Sequence, residues 1–199
     1  MKLKALLSCT IAAMFSASLL AAPKVGAPAP DFTVVDTKGQ QHSLKDFAGK
    51  NVVLEWTNHE CPFVVKHYSG NMQQLQRELT GTDVVWLSVI SSAPGKQGHV
   101  SAAIADDLTA SRDAAPTAVV FDESGVVGKA YDAKTTPHMY VIDKDGILQY
   151  MGGIDSIPSA KVEDIEKAVP YFANASQAVL AGNAADPAVT RPYGCSIKY

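Results

Sequence analysis

The stretch from Val52 to Pro62 constrains this chain more than any other part of it. Val52-Val53-Leu54-Glu55-Trp56 is an apolar, β-branched run that reads as a buried strand. After Thr57-Asn58-His59-Glu60 comes Cys61-Pro62, and then a segment to Leu79 rich in helix formers such as Met72, Gln73, Gln74, Leu75 and Gln76. Ser69-Gly70-Asn71 predicts a kink or interruption in that helix. A second buried strand follows at Val84 to Ile90. Two buried strands joined by a crossover helix pair in parallel. Pro62 suits the first helical position, which puts Cys61 at or next to the N-cap. There the unpaired N–H groups and the positive end of the helix dipole favour a thiolate, the form that attacks a disulfide or a peroxide.

The remaining elements fit around this unit. Phe32 to Val35 and Gln41 to Leu44 flank a turn at Asp36-Thr37-Lys38-Gly39 and predict an N-terminal hairpin. Val100 to Leu108 reads as a second helix and Ala118 to Phe121 as a short strand, with Asp122-Glu123-Ser124-Gly125 as its turn. Met139 to Ile142 and Ile147 to Tyr150 form a hairpin around Asp143-Lys144-Asp145-Gly146. Val162, Ile165, Val169 and Phe172 follow helical spacing, but Pro170 predicts a kink or two shorter helices. From Asn183 the chain reads as irregular. The expectation is an α/β fold: one mixed sheet with helices on both faces, an N-terminal hairpin and an irregular C-terminal tail.

The ends of the chain carry separate information. Lys2 and Lys4 precede an uncharged run from Ala5 to Leu20, then Ala21-Ala22-Pro23. This reads as an export signal over residues 1–22, with periplasmic or secreted placement and no stable membrane insertion after cleavage. Residues 23–182 would form one domain, and 183–199 a tail. Removing Lys2 and Lys4 from 17 basic residues leaves 15 against 20 acidic ones. That balance argues against nucleic acid as a partner. Of the 3 cysteines, Cys9 lies in the signal, leaving Cys61 and Cys195 in a compartment where disulfides persist.

The chain resembles the thioredoxin-like superfamily in its redoxin branch, the alkyl hydroperoxide reductase/thiol-specific antioxidant group. Three features carry the resemblance: Ala29-Pro30-Asp31-Phe32 before the hairpin, the cysteine at the strand-to-helix junction, and Thr136-Pro137 before Met139 to Ile142. The stretches Asn58-His59-Glu60-Cys61-Pro62-Phe63-Val64 and Gly194-Cys195-Ser196-Ile197-Lys198 are similar to those of a redoxin-like group with Cys-Asn-His-Cys-Pro-Tyr-Val and Gly-Cys-Ser-Ile-Lys. The resemblance implies a thiol oxidoreductase with a cis Pro137 whose preceding backbone faces Cys61. Its partners would be a thiol or disulfide electron-donor protein or a peroxide, and no cofactor is expected.

The chain departs from the thioredoxin pattern in lacking a second cysteine three residues from Cys61. Asn58 and Val64 hold those places. Cys195 is therefore the candidate resolving cysteine, or else it forms a permanent tether with Cys61. Thr57 stands where an earlier cysteine of the redoxin-like pattern would fall, and Arg112 is the candidate for a peroxidase arginine. Glu55 matches a buried acid six residues before the nucleophile, a candidate proton acceptor. His59 and His138 are candidates to tune the thiolate or move protons. A Cys/His metallochaperone or a redox-regulated binding module, with His67 as a further ligand, is the competing class. The reading places no metal, because no tight ligand spacing is present. Oligomeric state is not legible.

Overall fold

The computed structural model describes residues 22–199, so the export signal expected over residues 1–22 falls, apart from Ala22, outside the described residues. The hairpin forms from β1 (Thr33–Asp36) and β2 (Gln41–Ser43), and β3 (Asn51–Trp56) leads into α1 (Pro62–His67) and α2 (Asn71–Thr80). The chain then runs through β4 (Val84–Ile90), α3 (Ala102–Ser111), β5 (Ala118–Phe121) and α4 (Val126–Ala130). β6 (Thr135–Thr136), β7 (His138–Ile142), β8 (Leu148–Gly152), α5 (Tyr171–Leu180) and β9 (Cys195–Ser196) complete it.

Seven strands make one sheet in the order β2-β1-β5-β4-β3-β7-β8, and β6 pairs with β9 separately. β4 lies parallel to both β3 and β5, while β7 runs antiparallel to β3 on its other side. Side chains alternate across this sheet, as the pleat requires. Val52, Leu54, Trp56, Leu87, Val89, Tyr140 and Ile142 pack on one face with Val127 and Ala130 of α4. Val53, Trp86, Met139 and Val141 pack on the other with Met72 and Leu79 of α2 and Phe172 and Val179 of α5. The fold is thus the mixed sheet with helices on both faces that the strand and helix order predicts.

Some segments match expectation and others depart from it. The helix around Gly70 is two helices, with Gly70 at φ 138° between them, a conformation glycine adopts without a Cβ penalty. Residues 162–169 form only a 3-10 turn at Val162–Asp164, and the helix starts after Pro170. A proline has no N–H to donate and so stands at the start of a helix rather than within it. The five-residue α4 has too short an apolar period to read from sequence. Its first turn is held by Asp122, which accepts from the Val127 and Gly128 amides at 3.1 and 2.8 Å. The tail is largely irregular, as expected, but β9 fastens it to the domain.

Lys66 is one of the charged side chains buried in the interior. Val65 of α1 faces solvent at 52% exposure, whereas Lys66 is fully enclosed. Its ammonium donates to Asp155 Oδ2 at 3.1 Å and to the Ile157 carbonyl at 3.4 Å, and the Tyr193 hydroxyl lies 3.4 Å away. Asp155 also accepts from the Ile157 amide at 2.9 Å and from the Tyr193 hydroxyl. A buried pair of this kind is costly to break, because the surviving charge keeps its desolvation penalty. Lys66→Met is expected to lower unfolding free energy by about 3–5 kcal/mol, read from the denaturant midpoint. A loss below about 1 kcal/mol would mean that Tyr193 and the Ile157 amide alone sustain Asp155.

Buried imidazoles give the fold a pH dependence. His138 Nδ1 accepts from the Lys134 amide at 3.3 Å and lies 3.0 Å from the Tyr140 hydroxyl. Burial, with the nearby Lys134 charge adding to it, lowers its pKa to about 3. An unfolded histidine titrates near 6.5, so between these values the unfolded chain binds the extra proton and stability falls as pH falls. His138→Asn keeps an acceptor at the Nδ1 position but has no proton to bind. The slope of unfolding free energy between pH 4 and 6 is expected to be shallower in that variant by about 1.4 kcal/mol per pH unit. Equal slopes in the two proteins would contradict it.

Candidate active site

The end of β3 delivers Cys61 to a fixed place. Thr57 continues the strand by donating its amide to Val89 at 3.0 Å. The chain then turns: Asn58 Oδ1 accepts from the Glu60 amide at 2.9 Å, and the Cys61 amide donates to the Asn58 carbonyl at 3.0 Å. Cys61 is the N-cap of α1 and Pro62 its first residue, as the sequence predicts. The Cys61 side chain is fully buried, and its Sγ lies 3.0 Å from the Thr136 carbonyl, within reach of an S–H donor. The Thr136–Pro137 bond is cis, so the expected proline and the expected facing backbone are both in place.

The opposite wall of the site is the tail. β9 pairs antiparallel with β6, setting Cys195 across from Thr136 and Ser196 across from Thr135. Cys61 and Cys195 are both free thiols, and the Cys195 thiol is a hydrogen-bonding neighbour of Cys61. Burial pushes the Cys61 thiol up, but hydrogen bonding, from the Cys195 thiol above all and from the Val64 and Cys195 amides, outweighs it and lowers the pKa. The Cys61 contact is with the Thr136 carbonyl, and the buried Thr136 hydroxyl has no hydrogen-bond partner. Cys195 is shifted the other way, pushed up to about 11 by burial and then by its bond to Cys61 and that sulfur's charge. The pair therefore divides into an acidic buried sulfur and a basic, part-exposed one.

The remaining candidates sit in different places. Glu55 is buried and accepts from Tyr68, Gln76, Trp86 and Ser88, so none of its hydrogen bonds reaches Cys61. Burial raises its carboxyl pKa, with those four donors pulling it back. Thr57 is buried with its hydroxyl unpartnered and lines a cavity of about 40 Å³ with His59, Tyr68, Ser88 and Arg112. Burial lowers the His59 pKa, with the Glu60 charge opposing and Arg112 assisting. Arg112 donates to the His59 carbonyl at 3.1 Å and lies 5.0 Å from the Tyr68 ring centroid, so it meets the Cys61 loop from behind. His138 turns toward Tyr140 and Lys134. His67 is buried with its pKa lowered to about 4 by burial, its ring nitrogens facing Tyr193 and Asn71. These histidines point in separate directions, and among the described residues no cluster of three metal-ligating side chains forms.

Sequence reading missed the Lys66–Asp155–Tyr193 cluster, which holds the tail two residues before Cys195. Its signal was there: Lys66 interrupts the apolar run Phe63-Val64-Val65. A charged residue at a buried helical spacing needs a buried partner.

Comparison with known proteins places the fold and the family. Over 146 residues, 72% of this chain and 75% of the relative, the chain is 27% identical to the thiol-disulfide oxidoreductase ResA of Geobacillus kaustophilus. A solved structure of a hypothetical protein from Sinorhizobium meliloti covers 90% of this chain and 96% of its own at a TM-score of 0.73 and 22% identity, a likeness of fold. The pneumococcal exposed lipoprotein thioredoxin of Streptococcus pneumoniae covers 69% of this chain and 96% of its own, with a TM-score of 0.51 and 25% identity. Residues 25–151 match the AhpC/TSA family, a span that includes the hairpin, Cys61, Pro137 and most of β8. With that match over more than half its length and a thioredoxin-like fold around the cysteine, this chain belongs to the AhpC/TSA family.

Proposed function

We propose that the protein is an exported thiol oxidoreductase in which Cys61 is the nucleophile and Cys195 the resolving cysteine. The observation that supports this best is the placing of two free thiols at Thr136, with Cys61 Sγ 3.0 Å from its carbonyl and Cys195 paired across from it on β9. Export rests on the N-terminal signal pattern, and the likeness to a protein described as an exposed lipoprotein agrees with it. Among the described residues no helix is long and apolar enough to cross a membrane. The name of the relative ResA supports disulfide chemistry, and the family supports peroxide chemistry equally.

The two reactions share one cycle. With a disulfide, the Cys61 thiolate attacks one sulfur, forms a mixed disulfide and releases the other sulfur as a thiolate. Cys195, giving up its proton, attacks Cys61 and expels the second substrate thiolate, leaving a Cys61–Cys195 disulfide. With a hydroperoxide, Cys61 takes the terminal oxygen to become a sulfenic acid and releases an alcohol or water. Cys195 then forms the same disulfide and water leaves. In both, two electrons pass from the cysteine pair to the substrate. A thiol electron-donor protein returns them by exchange.

Two measurements test the roles. The pH dependence of Cys61 alkylation is expected to have a midpoint below about 8.5, the value of an unperturbed cysteine. Cys195→Ala removes a hydrogen bond that favours the thiolate, so the midpoint is expected to rise. A midpoint unchanged by that substitution would separate the two sulfurs energetically. In turnover, Cys195→Ala is expected to retain one oxidation of Cys61 per chain and to lose at least tenfold in repeated cycling with a dithiol donor. Cycling at the wild-type rate would make Cys195 dispensable and leave resolution to an external thiol.

A further inference from the structure

We infer that the segment Gly194–Tyr199 occupies the backbone edge through which an extended polypeptide would reach Cys61. While docked, it restricts the site to small oxidants that lack an extended backbone. The inference rests on the reading of Cys61 as the nucleophile. An extended peptide gains affinity by adding a strand to an open edge, through main-chain hydrogen bonds. The edge beside Cys61 is β6, and this chain's own tail has taken it. Cys195 and Ser196 pair with Thr136 and Thr135, and the Ile197 amide donates to the Lys134 carbonyl at 3.2 Å. The Ala93 amide then donates to the Lys198 carbonyl at 2.9 Å.

Both ends of the segment are built to stay. Gly194 has φ 132°, and a Cβ there would lie 2.0 Å from the Thr136 carbonyl oxygen, so only glycine permits this approach. Just before it, Tyr193 is fixed by Lys66, His67 and Asp155. At the far end, the Tyr199 hydroxyl donates to the Ala133 carbonyl at 3.0 Å. Its ring lies against α4 so closely that a Cβ on Gly128 would be 2.2 Å from Tyr199 Oη. Cys61 is fully buried beneath this strand, while Cys195 remains part-exposed. On this inference a small oxidant needs only the Cys195 side chain to move. A polypeptide needs the whole strand to leave.

With a small disulfide the electrons balance as above: Cys61 takes one substrate sulfur into a mixed disulfide, Cys195 displaces it, and two small thiols depart. Hydrogen peroxide uses the same path through the sulfenic acid, releasing water in each step. The experiment uses the reduced full-length chain in single turnover, following Cys61 by mass spectrometry after acid quench. Three oxidants are compared: hydrogen peroxide, 2-hydroxyethyl disulfide, and a ten-residue extended peptide whose cysteine carries the same mercaptoethanol disulfide. The peptide is expected to react at least tenfold more slowly than the small disulfide. Gly194→Val and Tyr199→Ala loosen the two ends of the segment, and each is expected to shrink that ratio at least threefold. If Gly194→Val does not fold, Tyr199→Ala alone decides. Equal peptide and small-disulfide rates in the wild type overturn the inference, and so does a ratio unchanged in the folded variants. Either outcome leaves the nucleophile reading intact. Failure of Cys61 to react with any of the three oxidants overturns that reading and the inference together.

Discussion

The register of β3 against its two neighbours fixes everything at the site. Trp56 lies opposite Val89 of β4 on one side and His138 of β7 on the other. Because β3 ends at that row, the turn that follows must rise beside the segment that enters β7, and this segment is Thr136-Pro137. The 3.0 Å contact between Cys61 Sγ and the Thr136 carbonyl is the direct result. A slip of one residue would turn Val53 and Leu54 to the wrong faces, leaving two packed cores without their centre. The hydrophobic effect over both faces of the sheet therefore holds the cysteine in place, with no dedicated contact needed to do so.

Around that frame the buried polar groups serve two different ends. Glu55 and Lys66 are both enclosed, and each is matched by a full set of partners. Glu55 collects four side-chain donors from α2, β4 and the α1–α2 junction, which locks the crossover helices onto the strands. Lys66 and Asp155 instead join α1 to the segment after β8 and, through Tyr193, to the tail. A half-satisfied network of this kind would be worse than an apolar one, so each member constrains the others. That coupling makes the tail part of the fold's polar interior rather than an appendage.

What could be read from the sequence follows the range of each signal. Alternation and turn chemistry are local, and they place β1 to β5, β7 and β8 within a residue or two. The helix-start cysteine and Thr136-Pro137 are also local patterns, and both stand where expected. The failures are long-range. Spacing of Val162, Ile165 and Val169 suggests a helix, yet these residues are largely exposed and yield a 3-10 turn, since no sheet face is left for them to cover. His138 follows Pro137, but the pleat turns its ring to Tyr140 rather than to Cys61. The docking of the tail depends on Gly194, Tyr193 and Tyr199 meeting residues about forty to well over a hundred positions away, and no periodicity in a seventeen-residue tail encodes that.

The tail unites the two properties of the cysteine pair. Strand pairing at Thr136 sets the Cys195 sulfur beside Cys61 without a covalent bond, so the entropy of ordering the segment is already offset when an oxidant arrives. The same pairing supplies hydrogen bonds from Cys195 that favour the Cys61 thiolate, while that sulfur's charge keeps Cys195 protonated. In the proposed cycle this separates attack from resolution: Cys61, the more acidic thiol, reacts first, and Cys195 follows once the sulfur charge on Cys61 has been consumed. In the disulfide that the proposed cycle forms, Cys61 would be the better leaving group, since the sulfur of lower pKa departs faster. In that cycle a reducing thiol would be directed to Cys195, which is also the more exposed of the two. On the proposed reading, one short strand thus sets both the direction in which the pair is oxidised and the sulfur at which it is reduced.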